Sequence, residues 1–183
     1  MKPYPMISIT LFSLILLILP VHLAGAPVSI RETCKAAKKV VSNIDYNFCV
    51  STLNQSSTTA ASDTRVFANI SVTAAASHVH NVSTIIQDLL RRSPDPDISP
   101  NLKYCNDSYY HVTSSLDKAL EAINEKNDDV AKSSLSEGLN GVISCETEFE
   151  MAGKPSPLME LDVISVELVT LTYGILEVAE KNK

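Results

Sequence analysis

The chain of 183 residues contains no tryptophan, only five glycines and only four histidines. Basic residues are also scarce, since 15 Lys and Arg stand against 21 Asp and Glu. Binding to nucleic acid requires clustered positive charge, so this acidic composition argues against a nucleic-acid partner. The chain also lacks any sustained alternation of apolar and polar residues, which argues against a fold built from strands.

Long apolar runs are missing everywhere except near the N-terminus. There Lys2 precedes the uncharged stretch Ile7–Leu19, and the small residues 24–26 follow. This order predicts a secretory signal peptide over residues 1–26. Residues 27–183 then carry 14 basic and 21 acidic residues, a formal charge of −7, and their length fits one domain. We therefore expect a secreted, extracellular protein with no membrane partner once the signal is removed.

Catalytic motifs are absent as well. The sequence has no G-x-S-x-G element, no H-E-x-x-H element and no glycine-rich phosphate loop. His78 and His80 are two residues apart, so on a helix they point to different sides and make a poor metal pair. His111 lies off the apolar stripe of its segment. The sequence predicts a protein that is not an enzyme, with no catalytic residue, metal or cofactor.

Apolar residues beyond residue 60 recur at three- and four-residue steps in four blocks, as in amphipathic helices. The predicted core positions are Phe67, Ile70, Ala74, His78, Val82, Ile85 and Leu89; Leu102, Cys105, Tyr109, Val112, Leu116, Ala119 and Ile123; Ala131, Leu135, Leu139, Val142, Cys145 and Phe149; and Leu161, Ile164, Leu168, Leu171, Ile175 and Val178. Proline-containing stretches at 93–100 and 153–157 and a polar turn at 126–129 separate the blocks. We predict an all-α fold, with an up-and-down four-helix bundle over residues 61–183 and an N-terminal helical hairpin over residues 27–60.

The four cysteines of a secreted chain predict two disulfides, for which three pairings are possible in principle. Cys34 and Cys49 lie close in sequence and suit a local bond within the hairpin. Cys105 near the start of the second bundle helix and Cys145 near the end of the third fall at the same end of an antiparallel pair. We therefore predict the bonds Cys34–Cys49 and Cys105–Cys145.

Four Asn-x-Ser sequons offer sites for N-glycosylation in a secreted protein. They begin at Asn54, Asn69, Asn81 and Asn106.

Several motifs together resemble the plant invertase/pectin methylesterase inhibitor family. They are Glu32-Thr-Cys34, Asp45-Tyr-Asn-Phe-Cys49, Cys105-x-x-x-Tyr109 and Cys145-Glu-x-x-Phe149, in the order found in that family. The Tyr-Asn-Phe-Cys segment is similar to the branch that includes plane-tree pollen allergens described as candidate invertase inhibitors. The resemblance covers residues 27–183 as one inhibitor domain. It implies an apoplastic protein that binds one cell-wall enzyme, one-to-one, and blocks its substrate cleft.

The resemblance implies two possible target enzymes. Inhibitors of acid invertase carry Pro-Lys-Phe at the turn before the third bundle helix, and the corresponding positions here are Asp128, Asp129 and Val130. The cation and the ring are absent, and two carboxylates would repel the carboxylates of an invertase site. Pectin methylesterase inhibitors have a hydroxyl residue just before the fourth cysteine, where this chain has Ser144. We therefore expect inhibition of pectin methylesterase, with cell-wall or vacuolar acid invertase as the alternative.

The expected contact surface is the outward side of the second and third bundle helices. Ser144 and Asn140 are one turn apart, and Tyr110 and Asp117 are two turns apart off the apolar stripe. Tyr104 should also reach outward, and exposed tyrosine is common at protein interfaces. A further alternative is a secreted signalling or pollen or seed protein of the same fold that inhibits no enzyme.

Overall fold

The computed structural model describes residues 28–61, 63–92 and 95–181. Their elements in chain order are β1 (Val28–Ser29), α1 (Ile30–Val40), α2 (Tyr46–Leu53), β2 (Ala60–Ala61), α3 (Arg65–Arg91), α4 (Ser99–Asn124), α5 (Asp128–Met151) and α6 (Met159–Lys181). This confirms the predicted all-α class. The predicted signal peptide lies outside the described residues. Within the described ranges, no helix is both long enough and apolar enough to cross a bilayer.

The four long helices α3 to α6 form the predicted bundle. Helix α4 packs against α3 and α5, and α6 closes the ring by packing against α3 and α5 as well. Helices α3 and α5 are therefore diagonal, and so are α4 and α6. Successive helices are antiparallel because short connections join them. One consequence is that the first turns of α3 and α5 lie at the same end of the bundle.

The N-terminal segment packs outside this ring, on α6. Ser29 caps α1 in a capping box with Glu32, and Asp45 caps α2 by accepting a hydrogen bond from the Phe48 amide. Helix α1 packs against α6, and so does the segment between α1 and α2, because a Cβ atom on Gly174 would meet Ile44 Cδ1 at 2.4 Å. The short strands β1 and β2 pair antiparallel and bring the two ends of the segment together.

Polar residues form the α4–α5 turn as the sequence suggests. Asn127 caps α5 by accepting a hydrogen bond from the Val130 amide, and Lys126 adopts a positive φ of 59°. Asp128 and Asp129 occupy the first turn of α5, where negative charge is favoured by the helix dipole.

Two disulfides are present, Cys34–Cys49 and Cys105–Cys145, which is the pairing that the sequence predicts. The first joins α1 to α2, and the second joins α4 to α5. No described cysteine is free. Each bond therefore links a pair of helices that are neighbours in sequence.

The predicted core stripe of α4 is correct at every position, but the stripes of α3, α5 and α6 need correction. Ile85 and Ile164 are 39% and 38% exposed, and the following positions are only partly buried: Ile70, Ala74, His78, Leu89, Leu139 and Leu161. The buried side of α3 instead consists of Phe67, Ala68, Ser71, Val72, Ala75, Val79, Val82 and Ile86.

Four of these incompletely buried positions share a structural reason. Ile70, Ala74 and His78 of α3 and Ile164 of α6 line a groove that α2 and its following loop border from outside. Apolar residues at the edge of the core therefore share the helical period of the core itself. Small residues such as Ala68 and Ala75 fill the interior of the bundle, where helices approach closely.

Candidate inhibitory surface

Helices α4 and α5 meet along a close seam of small residues. A Cβ atom on Gly141 would lie 2.6 Å from Val112 Cγ2, so glycine is required for this approach. One turn further along the chain, Ser144 Oγ donates to the Gly141 carbonyl at 3.0 Å and lies 3.3 Å from Ser108 Oγ. The seam is further held by the Cys105–Cys145 bond.

Ser144 therefore does not occupy the outward position that the sequence suggests. Its side chain is half-buried and faces Ser108 across the seam, because α5 approaches α4 closely at Gly141. Asn140, by contrast, is exposed on the same helix. Of this predicted pair, Asn140 faces solvent and Ser144 lies at the edge of the α4–α5 contact.

Tyr110 and Asp117 lie on a different side of α4. Both are exposed, and both line a groove of about 410 Å³ with residues of α3, among them His80 and Gln87. Tyr110 follows Ser108 by two residues, which is about 200° around a helix. Because Ser108 faces α5, the structure separates Tyr110 and Asp117 from Asn140 and Ser144, and the four do not share one surface.

Exposed apolar and aromatic side chains accompany Asn140. Tyr104 of α4 is 44% exposed, and it lies between Asn101 and Ser108, which both contact α5. On α5, Ile143 is 47% exposed and Met151 is 73% exposed. We call this outer side of α4 and α5, defined by Tyr104, Asn140, Ile143 and Met151, the α4–α5 face.

One of the two carboxylates in the α4–α5 turn is buried and paired with a cation, which the sequence did not predict. Asp128 is only 5% exposed, and its Oδ2 accepts from Arg65 Nη2 at 2.6 Å while Oδ1 accepts from Arg65 Nε at 3.3 Å. The carboxylate raises the pKa of Arg65 further, mainly through this hydrogen bond. Asp129 is exposed and Val130 is half-buried. Of the two carboxylates expected to repel an invertase site, Asp128 is therefore paired with Arg65 inside the fold and Asp129 is exposed.

The partner of Asp128, Arg65, was not predicted from the sequence. The sequence did contain an indication of this pair, because α3 and α5 run in the same direction and their first turns lie at the same end of the bundle. A cation at the start of α3 and an acidic residue at the start of α5 are thus natural partners. The Asn69 amide also donates to Asn124 Oδ1 at 2.5 Å near this end of the bundle.

A buried polar cluster inside the bundle was also missed. Tyr109 donates a short hydrogen bond to Asp162 Oδ1 and lies 3.3 Å from Ser165 Oγ. Burial raises the pKa of Asp162 to about 8, and the neighbouring Glu146 adds to the shift. Burial also raises the pKa of Tyr109 well above its usual value.

The oxygens of Asp162 and Glu146 and the sulfur of Cys145 lie within 4.8 Å of one another. Because that sulfur is in a disulfide, it offers no thiolate to a metal.

The histidines and sequons take ordinary structural positions. The His78 ring nitrogen Nε2 lies 2.9 Å from the Leu161 carbonyl, which is a structural contact between α3 and α6. Asn54 and Asn81 are exposed, whereas Asn69 and Asn106 are half-buried. The Asn69 amide is hydrogen-bonded to Asn124, and Asn106 lines the groove that contains Tyr110 and Asp117. These two sequons therefore differ from the exposed ones at Asn54 and Asn81.

Comparison with known proteins relates this architecture to a family. The profile of the family described as "Plant invertase/pectin methylesterase inhibitor" matches residues 28–172. A protein of Platanus acerifolia is 27% identical over 170 residues, covering 92% of this chain and 93% of its own length. A protein of Platanus orientalis is 26% identical over 147 residues, covering 80% and 86%. Both are named "Putative invertase inhibitor".

Solved structures show the same fold. A mutant form of a pectin methylesterase inhibitor from Arabidopsis superposes with a TM-score of 0.69 at 15% identity, covering 81% of this chain and 97% of that chain. A second Arabidopsis pectin methylesterase inhibitor gives a TM-score of 0.61 at 15% identity, covering 81% and 95%. The resemblance seen in the cysteine motifs is thus confirmed, and the role is that of an inhibitor and not of an enzyme. The chain belongs to the plant invertase/pectin methylesterase inhibitor family.

Proposed function

We propose that this protein is a secreted inhibitor of pectin methylesterase that binds the enzyme one-to-one through the α4–α5 face. The observation that carries the choice of enzyme is the α4–α5 turn. It has neither the cation nor the aromatic ring of the invertase-type tripeptide, and Asp128 is held inside by Arg65. A turn built this way has no large side chain at these positions to enter a sugar-binding cleft.

The composition of the α4–α5 face supports its role as the contact surface. Aromatic residues and methionine are enriched in protein interfaces, and here Tyr104 and Met151 are exposed beside Asn140 and Ile143. The disulfide and the close seam at Gly141 keep the two helices rigid relative to each other. A preorganised surface loses less conformational entropy on binding than a flexible one.

Acid invertase is the second candidate. Both Platanus relatives carry an invertase inhibitor name, and the pairing of Asp128 removes one of the two charges that argued against this target. Secretion is supported by the predicted signal peptide and by the two disulfides. The third alternative, a secreted protein without an enzyme target, predicts that no wall enzyme co-purifies with the chain.

One assay separates the candidates. The recombinant mature protein is titrated against a purified pectin methylesterase and a purified acid invertase, and residual activity of each enzyme is followed. We expect saturating inhibition of the esterase at one equivalent and full activity of the invertase. The reverse pattern would establish the invertase assignment, and full activity of both enzymes would support the third alternative.

The contact surface is tested by matched Asn→Arg variants. Asn140→Arg places a large cation on the α4–α5 face, and Asn81→Arg places the same change on α3, diagonally across the bundle. Both variants are produced in a host without N-glycosylation, because Asn81 begins a sequon. Both positions are exposed, so stability should change by no more than about 0.5 kcal/mol. At an interface the cation would be buried unpaired, and we expect Asn140→Arg to weaken inhibition by about 2 kcal/mol or more, roughly 30-fold.

A third variant tests the other side of α4. Asp117→Arg alters the α3–α4 groove and leaves the α4–α5 face intact. We expect Asp117→Arg and Asn81→Arg to inhibit like the wild type. Loss of inhibition in Asp117→Arg with normal inhibition in Asn140→Arg would move the interface to the Tyr110 side of α4.

A further inference from the structure

The cluster around Asp162 places two carboxyl groups together without a counter-charge. Asp162 is 2% exposed on α6, and a carboxyl oxygen of Glu146 on α5 lies within 4.8 Å of an oxygen of Asp162. The titratable groups that face Asp162 are Tyr109 from α4 and Glu146 from α5, and Ser165 of α6 contacts the Tyr109 hydroxyl. In the part of the chain that the structure describes, Asp162 forms no ion pair with a cation.

Helix α3 contributes one titratable group near this cluster. His78 bonds the carbonyl of Leu161, the residue before Asp162, and not the carboxyl group itself. Among the described residues of the four bundle helices, no positive charge therefore balances the two carboxyl groups at this level.

The hydrogen bonds at the cluster leave two acceptor oxygens without an ordinary donor among the described residues. Tyr109 donates to Asp162 Oδ1. Asp162 Oδ2 lies 3.6 Å from the Cys145 sulfur, but a disulfide sulfur has no hydrogen to donate. Glu146 Oε1 is buried and accepts no hydrogen bond from a conventional donor. A proton held between the two carboxyl groups satisfies both oxygens and removes one buried charge.

We propose that Asp162 and Glu146 share one proton in the folded inhibitor, so that the packing of α6 against α4 and α5 is a pH-sensitive contact, tight in acid and weakened at neutral pH. The proton stays on the pair in the native bundle because Asp162 is buried, and its ionised form would be repelled by the neighbouring carboxylate of the half-buried Glu146. When the chain unfolds, both groups return to water and lose the proton at ordinary acidic pH.

The direction of the effect follows from proton linkage. The pKa of Asp162 is raised to about 8 in the folded chain, above its usual value near 4. Between these values the native state holds a proton that the unfolded state releases. The stabilisation is therefore complete below about pH 4 and is lost as the pH rises towards 8. Because the native state binds one proton more than the unfolded state in this window, the equilibrium constant for unfolding rises about tenfold for each pH unit.

The location of the pair links its ionisation to the packing of α6 against α4 and α5. Tyr109 binds Asp162 across the α4–α6 diagonal, and Glu146 belongs to the helix that carries the α4–α5 face. Ionisation of both carboxyl groups would separate α6 from α5 at this level. The inference holds whichever enzyme is the target, because it concerns the free inhibitor.

The test compares the pH dependence of unfolding in three proteins. Thermal and urea unfolding of the wild type, Asp162→Asn and Glu150→Gln are followed from pH 4 to pH 8 by circular dichroism. The amide introduced by Asp162→Asn is uncharged at every pH and can donate to Glu146. We expect this variant to lose the rise of about tenfold per pH unit in the unfolding constant. Glu150→Gln, an exposed change on the same helix as Glu146, should keep the wild-type slope.

Glu146→Gln provides an independent variant in case Asp162→Asn folds poorly. Its amide can donate to Asp162 Oδ2, which favours the ionised aspartate, so the slope should again be reduced. Infrared spectra at pH 6 should show a protonated carboxyl band in the wild type that is missing from Asp162→Asn and weaker in Glu146→Gln. Identical pH slopes in the wild type and Glu146→Gln, with no protonated carboxyl band in the wild type, would overturn the proposal.

Discussion

The close approach of α4 and α5 depends on Gly141, and adding one methyl group there should destabilise the fold. In Gly141→Ala the new Cβ atom would lie 2.6 Å from Val112 Cγ2 and 3.6 Å from the Ser108 carbonyl oxygen. Val112 is 1% exposed, and a valine in a helix has essentially one side-chain rotamer, so it cannot turn away. The helices must separate instead, although the disulfide one turn away resists this.

The magnitude follows from two opposing effects. Overpacking of a well-packed contact costs about 1–3 kcal/mol, whereas replacing glycine by alanine inside a helix contributes about 1 kcal/mol. We expect Gly141→Ala to lower the free energy of unfolding by up to about 2 kcal/mol.

Gly138, one turn earlier on the same helix, is the matched control. A Cβ atom there would lie 3.7 Å from its nearest neighbours in Leu116 and Ser115, which is an ordinary contact. Gly138→Ala should therefore raise the free energy of unfolding by about 0.5–1 kcal/mol through helix propensity alone. Urea unfolding at one pH measures both variants. Equal stabilisation by the two alanines would refute the reasoning that α4 and α5 are in contact at Gly141.

Three further predictions concern stability. Arg65→Met should lower the free energy of unfolding by about 3–5 kcal/mol, because it removes the guanidinium that is paired with the buried Asp128 carboxylate. Urea unfolding measures this, and a loss below about 1 kcal/mol would show that the pair contributes little to stability. The double variant Cys105→Ala/Cys145→Ala should lower the free energy of unfolding by about 4 kcal/mol, which is the chain-entropy value for a loop of 40 residues. A urea midpoint equal to that of the wild type would contradict this. Ser29→Ala removes the α1 cap and should cost about 1 kcal/mol in the same assay, with no change if the cap is dispensable.

The fold was predictable from the sequence where large apolar residues recur without interruption. Helix α4 is the clearest case, since Leu102, Tyr109 and Leu116 follow one stripe and all are fully buried. Helix α3 was less predictable, because its interior contacts use alanine and serine. Such small residues are equally common on solvent-facing positions, so periodicity cannot distinguish the two sides.

The predicted buried positions of α6 were partly wrong for a different reason. It contacts α3 and α5 on one side and α1 on another, so residues around most of its circumference are buried. A sequence pattern that assumes one buried stripe cannot represent a helix covered on two sides. The N-terminal hairpin was recognised from its cysteines, but the side of the bundle that it covers depends on tertiary packing.

The candidate surface was predicted in part. The exposure of Tyr104, Tyr110 and Asn140 follows from their positions off the apolar stripes. The half-buried state of Ser144 depends on how closely α4 and α5 approach, which a single helix pattern does not contain. The charge of Asp128 depends likewise on Arg65, which is 63 residues away in the chain.

The position of the Cys105–Cys145 bond determines what happens to the chain when a protease cuts the α4–α5 turn. The α4–α5 turn at residues 125–127 is exposed, and a protease that cuts there would divide the chain inside the covalent loop. The two fragments would stay linked by the disulfide and held by the helical contacts on either side. A nicked molecule would therefore migrate as one species without reductant and as two with it. Its α4–α5 face would keep its shape after the cut.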